Sequence, residues 1–141
     1  MAMTFNSLIP EFSVSNFRVS KSFYVDTLGF NIDYEREEDK FLHISFGGAQ
    51  IMIIEDNEYW ITGELSFPRG RGINFQIACD DVFILYNRIF DNEIKIFQKI
   101  EEVWYRIEDR EECVREFLVQ DPDGYLLRFQ QYIGERTIDS I

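Results

Sequence analysis

Two helix-start signals divide the chain into similar halves, and this repeat is the feature that most constrains the fold. Asn16 can cap a helix that ends at Gly29, and Asp80 or Asp81 can cap a second helix with one apolar face. Asn16 and Asp81 lie 65 residues apart, which is close to half of the 141 residues. A repeat of this period favours two copies of one structural unit.

Strand patterns surround both helices in a similar order. In the first half, strands are predicted at residues 8–14, 30–36, 40–46 and 50–55. In the second half, they are predicted at residues 73–78, 94–97, 103–107, 115–120 and 125–131. The turn Asp121-Pro122-Asp123-Gly124 joins the last two. The economical interpretation is an α+β fold built from two βαβββ modules.

The modules are expected to form a single domain over residues 1–141. Its predicted parts are a first module at 1–56, a connecting loop at 57–72, a second module at 73–132 and a C-terminal tail at 133–141. The loop mixes Gly, Pro, aromatic and charged residues without a period, which is typical of a linker or a binding loop. Arg69 and Arg71 in this loop are expected to lie in solvent.

The charge of the chain bears on its partners. With 26 acidic and 14 basic residues, the net charge is -12. Such a surface repels phosphate backbones, so we expect no nucleic-acid partner, whereas cationic small molecules would be attracted. The same charge also serves solubility alone, so it permits a cationic ligand without indicating one.

Nothing in the sequence indicates export or membrane insertion. No apolar run approaches the roughly 18 residues that span a bilayer, and the first residues lack the pattern of a signal peptide. Cys79 and Cys113 stand at unrelated positions and suggest two reduced thiols rather than a disulfide framework or a metal motif. We therefore expect a cytoplasmic protein with no membrane partner.

Three motifs carry a resemblance to a known family. They are FYVDTLGF at 23–30, DDVFILYNRI at 80–89 and REFLVQDPDGYLLRF at 115–129. In this order and spacing, residues 8–132 resemble the glyoxalase/bleomycin-resistance/extradiol dioxygenase superfamily, also called the vicinal oxygen chelate fold. The resemblance implies that the two βαβββ modules form a curved, incomplete barrel.

Most enzymes of this superfamily hold a divalent metal with His and Glu side chains from both modules. The resemblance places the ligand positions at Ile9, Asn74, Arg128 and within residues 51–54, and none of these is a usual ligand. His43 is the only histidine, so one chain cannot assemble a site of two histidines and a carboxylate. A cationic Arg128 would also oppose a divalent ion. We expect no metal or other cofactor.

The metal-free branch that the chain most resembles is the bleomycin resistance proteins. Pro10 in the first strand, the motif Arg115-Glu116-Phe117 and Arg128 in the last strand each have a parallel there. The resemblance implies a homodimer with exchanged first strands. It also implies that the dimer sequesters cationic glycopeptide antibiotics in grooves between the subunits, without chemistry.

Candidate ligand contacts follow from this resemblance and from residue type. The aromatic candidates for stacking are Tyr34, Phe41, Trp60, Trp104 and Tyr105. The acidic candidates for contact with a cation are Glu55, Asp56 and Glu116. Cys113 stands where the branch has a groove tryptophan, two residues before the Arg-Glu-Phe motif. Tyr34 and Phe41 also suit a position in the core.

Two other functions stay open at this stage. One is a glyoxalase-like or dioxygenase-like enzyme with an atypical site, which a stoichiometric metal would favour. The other is a structural homologue without a ligand, which a groove filled by its own side chains would favour. The chain has no GxSxG elbow and no phosphate-binding glycine loop, so nucleophilic catalysis and nucleotide binding are not indicated.

Overall fold

The computed structural model describes residues 3–140, except for the side chain of Ser140, and it separates into two compact units. The first unit contains the chain up to Ile73 together with Asp121–Tyr125. The second contains Asn74–Gln120 and the chain from Leu126 onward. Each unit holds one four-stranded sheet.

The first unit consists of a short helix and a mixed sheet. Its elements are β1 (Glu11–Val14), α1 (Phe17–Lys21) with a π-helical continuation (Ser22–Thr27), β2 (Asn31–Arg36), β3 (Phe41–Phe46) and β4 (Ala49–Glu55). The strand order is β1-β4-β3-β2. β1 runs parallel to β4, and the other pairs are antiparallel.

The second unit repeats this arrangement with longer strands. Its elements are β5 (Asn74–Ala78), α2 (Val82–Asp91), β6 (Ile96–Ile107), β7 (Arg110–Gln120) and β8 (Leu126–Thr137). The strand order is β5-β8-β7-β6, and β5 runs parallel to β8. Both units are therefore βαβββ modules of the same topology, and the predicted α+β fold is confirmed.

The helix-start signals act as the sequence suggests. The Asn16 side chain accepts a hydrogen bond from the Val19 N–H at 3.2 Å, and the Asp81 side chain accepts one from the Phe83 N–H at 2.9 Å. Each bond satisfies a backbone donor that has no partner within the helix. Gly29 follows the first helix with a φ of 86°, a conformation that suits glycine.

Three strand boundaries in the second unit differ from those expected. The predicted strands at 94–97 and 103–107 belong to one strand, β6, β7 begins at Arg110, and β8 continues past residue 132 to Thr137. These extensions are rich in charged residues, which hide the apolar alternation of a strand. Opposite charges face each other across the strands, as in Glu102–Arg115 at 3.3 Å and Glu111–Arg136 at 3.2 Å. Such cross-strand pairs favour strand pairing.

The expectation that Arg69 lies in solvent is wrong. Its side chain is only 10% exposed and forms a two-pronged ion pair with Asp56, with both N···O distances at 2.9 Å. It also donates to the Ser13 carbonyl at 2.8 Å. Arg69 therefore fastens the end of the connecting loop to β1 and to the residue that follows β4, while Arg71 is exposed as expected.

The turn after β7 is built into the first unit through Asp121. One carboxylate oxygen of Asp121 accepts the N–H groups of Asp123 and Tyr125, both at 2.9 Å, and the other accepts the Tyr24 hydroxyl at 2.7 Å. Gly124 has a φ of 99°, and a Cβ there would lie 2.5 Å from the Pro68 Cα, so only glycine fits.

In the part of the chain that the structure describes, no helix has the length and apolar character needed to cross a bilayer.

We predict that ionisation of Asp121 destabilises the fold as the pH rises. Burial raises its pKa from an ordinary 3.8 to about 6, so the folded chain holds this proton more tightly than the unfolded chain. The free energy of unfolding should therefore fall between about pH 4 and pH 6, by about 3 kcal/mol for a shift of this size. Asp121→Asn keeps the carbonyl acceptor and cannot ionise.

Urea unfolding of the wild type and of Asp121→Asn at pH 4 and pH 7.5 measures this effect. The difference in unfolding free energy between the two proteins should change by about 3 kcal/mol in favour of the variant at the higher pH. A difference that does not vary with pH would contradict the assignment.

Candidate functional site

A cluster of polar side chains occupies one face of the second sheet. Phe117 and Phe129 stack at 5.6 Å, and Tyr86 of α2 meets Phe117 edge-on at 5.5 Å, so these rings lie on the helix side. Successive residues of a strand point to opposite faces, which places Glu116 and Arg128 on the other side. We call this set the polar cluster; it comprises Asn74, Gln76, Tyr105, Glu116, Arg128 and Gln130.

Arg128 is the centre of the polar cluster. Its Nε donates to Oδ1 of Asn74 at 3.1 Å, and Nη2 donates to Oε1 of Gln76 at 3.1 Å. Its Nη1 lies 3.6 Å from Oε2 of Glu116. The planar guanidinium is thus held on three sides in a fixed orientation, since its fork of donors is rigid.

Glu116 has all its partners inside the same cluster. It is only 3% exposed, and its carboxylate accepts hydrogen bonds from Gln130 Nε2 at 2.9 Å and from the Tyr105 hydroxyl. The bond to Glu116 is the main reason that the pKa of Tyr105 is raised. With Arg128 beside it, the buried carboxylate is both hydrogen-bonded and charge-compensated.

The residues present do not fit the metal that the superfamily implies. Asn74 and Arg128, where the resemblance implies the ligands of the second module, are hydrogen-bonded to each other, and a guanidinium there repels a divalent cation. Within residues 3–140, no three or more His, Cys, Asp and Glu side chains form a group that could hold a metal.

A second candidate surface lies on the first sheet. Tyr34 of β2 is paired with His43 of β3, and their rings stack at 5.1 Å with an interplanar angle of 15°. Phe41 lies 5.7 Å from Tyr34 and is buried beneath the Arg36 guanidinium, whose Cζ is 4.1 Å from the ring centroid. We call Phe5, Tyr34, Phe41 and His43 the aromatic cluster.

A β-bulge brings Asp33 to the same place. The β2–β3 register shifts between Ile32 and Tyr34, so Asp33 is an extra residue whose side chain can turn toward His43. Its Oδ2 lies 2.9 Å from Nδ1 of His43, and its Oδ1 accepts the Ser45 hydroxyl at 2.8 Å. The sequence did not reveal this pair, because a bulge leaves no mark in the alternation of β2.

Glu55 lies at a different cavity of the first unit. It accepts a hydrogen bond from Lys40 Nζ at 2.8 Å and from the Phe17 N–H at 3.1 Å, and these bonds lower its pKa. The cavity, of about 440 Å³, is lined by further charged residues, and one pair, Lys21 and Glu35, is 2.7 Å apart. The predicted cation contact thus already has a cationic partner.

The remaining predicted contacts occupy three separate settings. Trp60 is 88% exposed in the connecting loop. Trp104 is 38% exposed, with the Arg136 Cζ 3.9 Å from its ring, and is paired with Cys113 across β6 and β7. Cys113 is buried, and both residues share the helix-side face with Phe117, whereas Tyr105 lies on the opposite face.

The predicted residues therefore form local pairs rather than one group. Tyr34 meets Phe41, Tyr105 meets Glu116, and Trp104 opposes Cys113. Arg128 and His43 lie beside these pairs. The sequence drew attention to both residues because of the expected metal site, and not as ligand contacts. Neither cysteine is set up as a nucleophile, since burial raises the pKa of Cys79 to about 11 and also raises that of Cys113.

The fold and the motifs together define a class of protein. A model of the Glyoxalase/Bleomycin resistance protein/Dioxygenase superfamily matches residues 9–129, which is most of the chain. The chain belongs to this superfamily, which includes both enzymes and proteins without enzymatic activity.

Solved structures agree with this membership. A superfamily member from Vibrio splendidus 12B01 is 35% identical, and the match covers 87% of this chain and 95% of that chain. Its TM-score is 0.41, so the two proteins are compared by sequence alone. TioX from Micromonospora sp. ML1 is 16% identical, with 92% of this chain and all of that chain covered and a TM-score of 0.69. Virulence protein STM3117 from Salmonella typhimurium is 19% identical, with 93% and 100% covered and a TM-score of 0.65. The last two show the fold alone. No protein of curated function matches the chain.

We predict that Arg128→Met destabilises the second unit by about 2 to 3 kcal/mol, because it leaves the Glu116 carboxylate buried without its counter-charge. The matched control is Arg115→Met, which breaks an ion pair between two partly exposed side chains and should cost less than about 1 kcal/mol. Urea unfolding at pH 7 measures both. Equal losses in the two variants would show that Arg128 does not compensate Glu116.

Proposed function

We propose that the protein is a metal-independent small-molecule binding protein that sequesters a planar or cationic ligand without chemistry, as bleomycin resistance proteins do. The observation that carries the proposal is the environment of Arg128. A guanidinium bonded to Asn74 and Gln76, and 3.6 Å from Glu116, stands where the superfamily enzymes have a metal ligand. A cation at this position opposes a metal ion, so it favours binding without metal-assisted chemistry.

Planarity of the ligand is supported by exposed aromatic surface. Tyr105 is 40% exposed above the polar cluster to which its hydroxyl belongs, and Trp60 and Trp104 are also accessible. Aromatic faces of this kind stack on flat heterocycles. Because Glu55 and Glu116 are already paired with Lys40 and Arg128, attraction of a cationic ligand rests on the net charge of -12 rather than on an unpaired carboxylate.

A homodimer with exchanged first strands belongs to the same proposal. β1 is only four residues long and pairs in parallel with β4, with Glu11 opposite Met52. A second copy of β1 could make the same backbone hydrogen bonds to β4, so exchange needs no new kind of contact.

We expect light scattering after size exclusion to give twice the mass of the chain. A monomer at micromolar concentration would contradict the exchange.

A metal-independent enzyme is the second candidate, and the Asp33–His43 pair favours it. A carboxylate that orients an imidazole is an arrangement used for general-base catalysis. His43 is fully buried, however, so a substrate would first have to displace the residues above it. Chemical conversion of a bound ligand, detected by mass spectrometry, would favour this candidate over sequestration.

We predict that bleomycin binds at one molecule per chain with submicromolar affinity and quenches tryptophan fluorescence. The drug should be titrated in both its metal-free and its copper-loaded form. A site that only sequesters the drug need not distinguish the two forms. Trp60→Phe and Trp104→Phe are matched variants, since each leaves a single tryptophan as the reporter. The variant that loses the response identifies the ring near the ligand.

A flat titration would count against the specific drug. No response up to about 100 micromolar means binding weaker than about 5.5 kcal/mol, which is too weak for resistance by sequestration. That result would remove bleomycin as the ligand.

A further inference from the structure

A short N-terminal segment crosses the first sheet and is held there by polar contacts. Asn6 donates to the Gly48 carbonyl at 2.7 Å, and its own N–H donates to Oε1 of Gln50 at 2.9 Å. Gln50 Nε2 in turn donates to the Thr4 carbonyl at 2.8 Å. We call residues 4–6 the strap.

The strap places one aromatic ring against the aromatic cluster. Phe5 meets His43 edge-on at 5.4 Å and an interplanar angle of 89°, and meets Tyr34 edge-on at 6.3 Å and 83°. Phe5 is nevertheless 54% exposed. The ring therefore lies over a surface of two stacked rings while about half of it remains in water.

In the His43 ring that Phe5 contacts, one polar atom has no partner. His43 is 0% exposed, its Nδ1 is engaged by Asp33, and its Nε2 is buried with no hydrogen-bond partner among residues 3–140. Buried polar groups are almost always hydrogen-bonded, and a bound molecule, either water or a ligand, would supply the missing partner.

The chemistry of that partner follows from the other side of the imidazole. Asp33 accepts a hydrogen bond from Nδ1, and the Ser45 hydroxyl fixes the second oxygen of Asp33. In the tautomer that carries its proton on Nδ1, Nε2 presents a lone pair. Nε2 therefore accepts a hydrogen bond, and its partner must be a donor.

We propose that Phe5 holds the place of a ligand ring, and that the ligand is a planar aromatic compound carrying a hydroxyl or amino donor, such as a phenol or an aromatic amine. The ligand ring takes the position of Phe5 against Tyr34 and His43, and its donor bonds to Nε2 of His43. This inference rests on the proposed binding function and names the ligand class for the first unit.

The strap is suited to opening. Its hydrogen bonds lie at exposed residues, and such bonds contribute little net stability because water replaces them. Segments held by few exposed bonds open locally at low cost. Ligand entry therefore needs displacement of three residues and leaves the sheet intact.

The test uses the single histidine as the reporter. Phenol and benzene are titrated into the 15N-labelled full chain, and the imidazole nitrogens are followed by long-range 1H–15N correlation. Because the chain has one histidine, every imidazole signal belongs to His43. The proteins are the wild type, Phe5→Ala, Asn6→Ala and, as a matched control, Phe90→Ala, which removes an exposed ring from α2.

We expect phenol to bind Phe5→Ala at least tenfold more tightly than it binds the wild type, since the ring no longer competes. Asn6→Ala should give a smaller gain by loosening the strap, and Phe90→Ala should give none. The Nε2 signal should shift with phenol and not with benzene, because only phenol donates a hydrogen bond.

Two results would overturn the inference. An equal affinity of phenol for Phe5→Ala and the wild type would show that Phe5 holds no ligand position. Binding of phenol without a shift at Nε2 would show that His43 is not its acceptor. The bleomycin titration reads the tryptophans and not His43, so failure of that test and failure of this one can be told apart.

Discussion

The second sheet depends on the interactions of the Arg128 guanidinium. It joins β8 to β5 through Asn74 and Gln76, and it lies beside the buried Glu116 of β7. Three strands of the second sheet thus share one charged centre. A buried carboxylate is tolerated only with such compensation. Replacing the guanidinium would therefore leave the Glu116 charge buried and unpaired, which destabilises the fold.

In each sheet, one face packs the apolar core and the other face carries the polar or aromatic side chains of the candidate site. In the second unit, stacked Phe117 and Phe129 form the core beneath α2, while their neighbours Glu116 and Arg128 point the other way. In the first unit, the opposite face carries the aromatic cluster and the Asp33–His43 pair. Successive side chains of a strand point to opposite faces. Residues on the site face can therefore differ between proteins of this fold while the apolar core stays the same.

The fold was predictable because its signals are local. The caps at Asn16 and Asp81 and the turn beginning at Asp121 depend on a few adjacent residues, and the structure contains all three. The strand length of β6 was not predictable, since its charged residues are stabilised by partners on β7 that lie outside any local window.

The candidate site was predictable only in part, for the same reason. The sequence predicted that Arg128 would disfavour a metal. It pointed to Tyr34 through the family resemblance, and to Tyr105 and Glu116 through their position and type. It did not show that Glu116 is paired within the chain, that a bulge turns Asp33 toward His43, or that Phe5 crosses the sheet. Each of these facts depends on contacts between residues distant in sequence.

The central claim is that this chain binds its ligand without a metal, and calorimetric titration with zinc, nickel and manganese tests it most directly. The account predicts no saturable uptake at one ion per chain with a dissociation constant below about 10 micromolar, and only weak, salt-sensitive heat from the acidic surface. One-to-one binding of any of these ions that is lost in Asn74→Ala would contradict it, because Arg128 and its partners would then leave room for a metal.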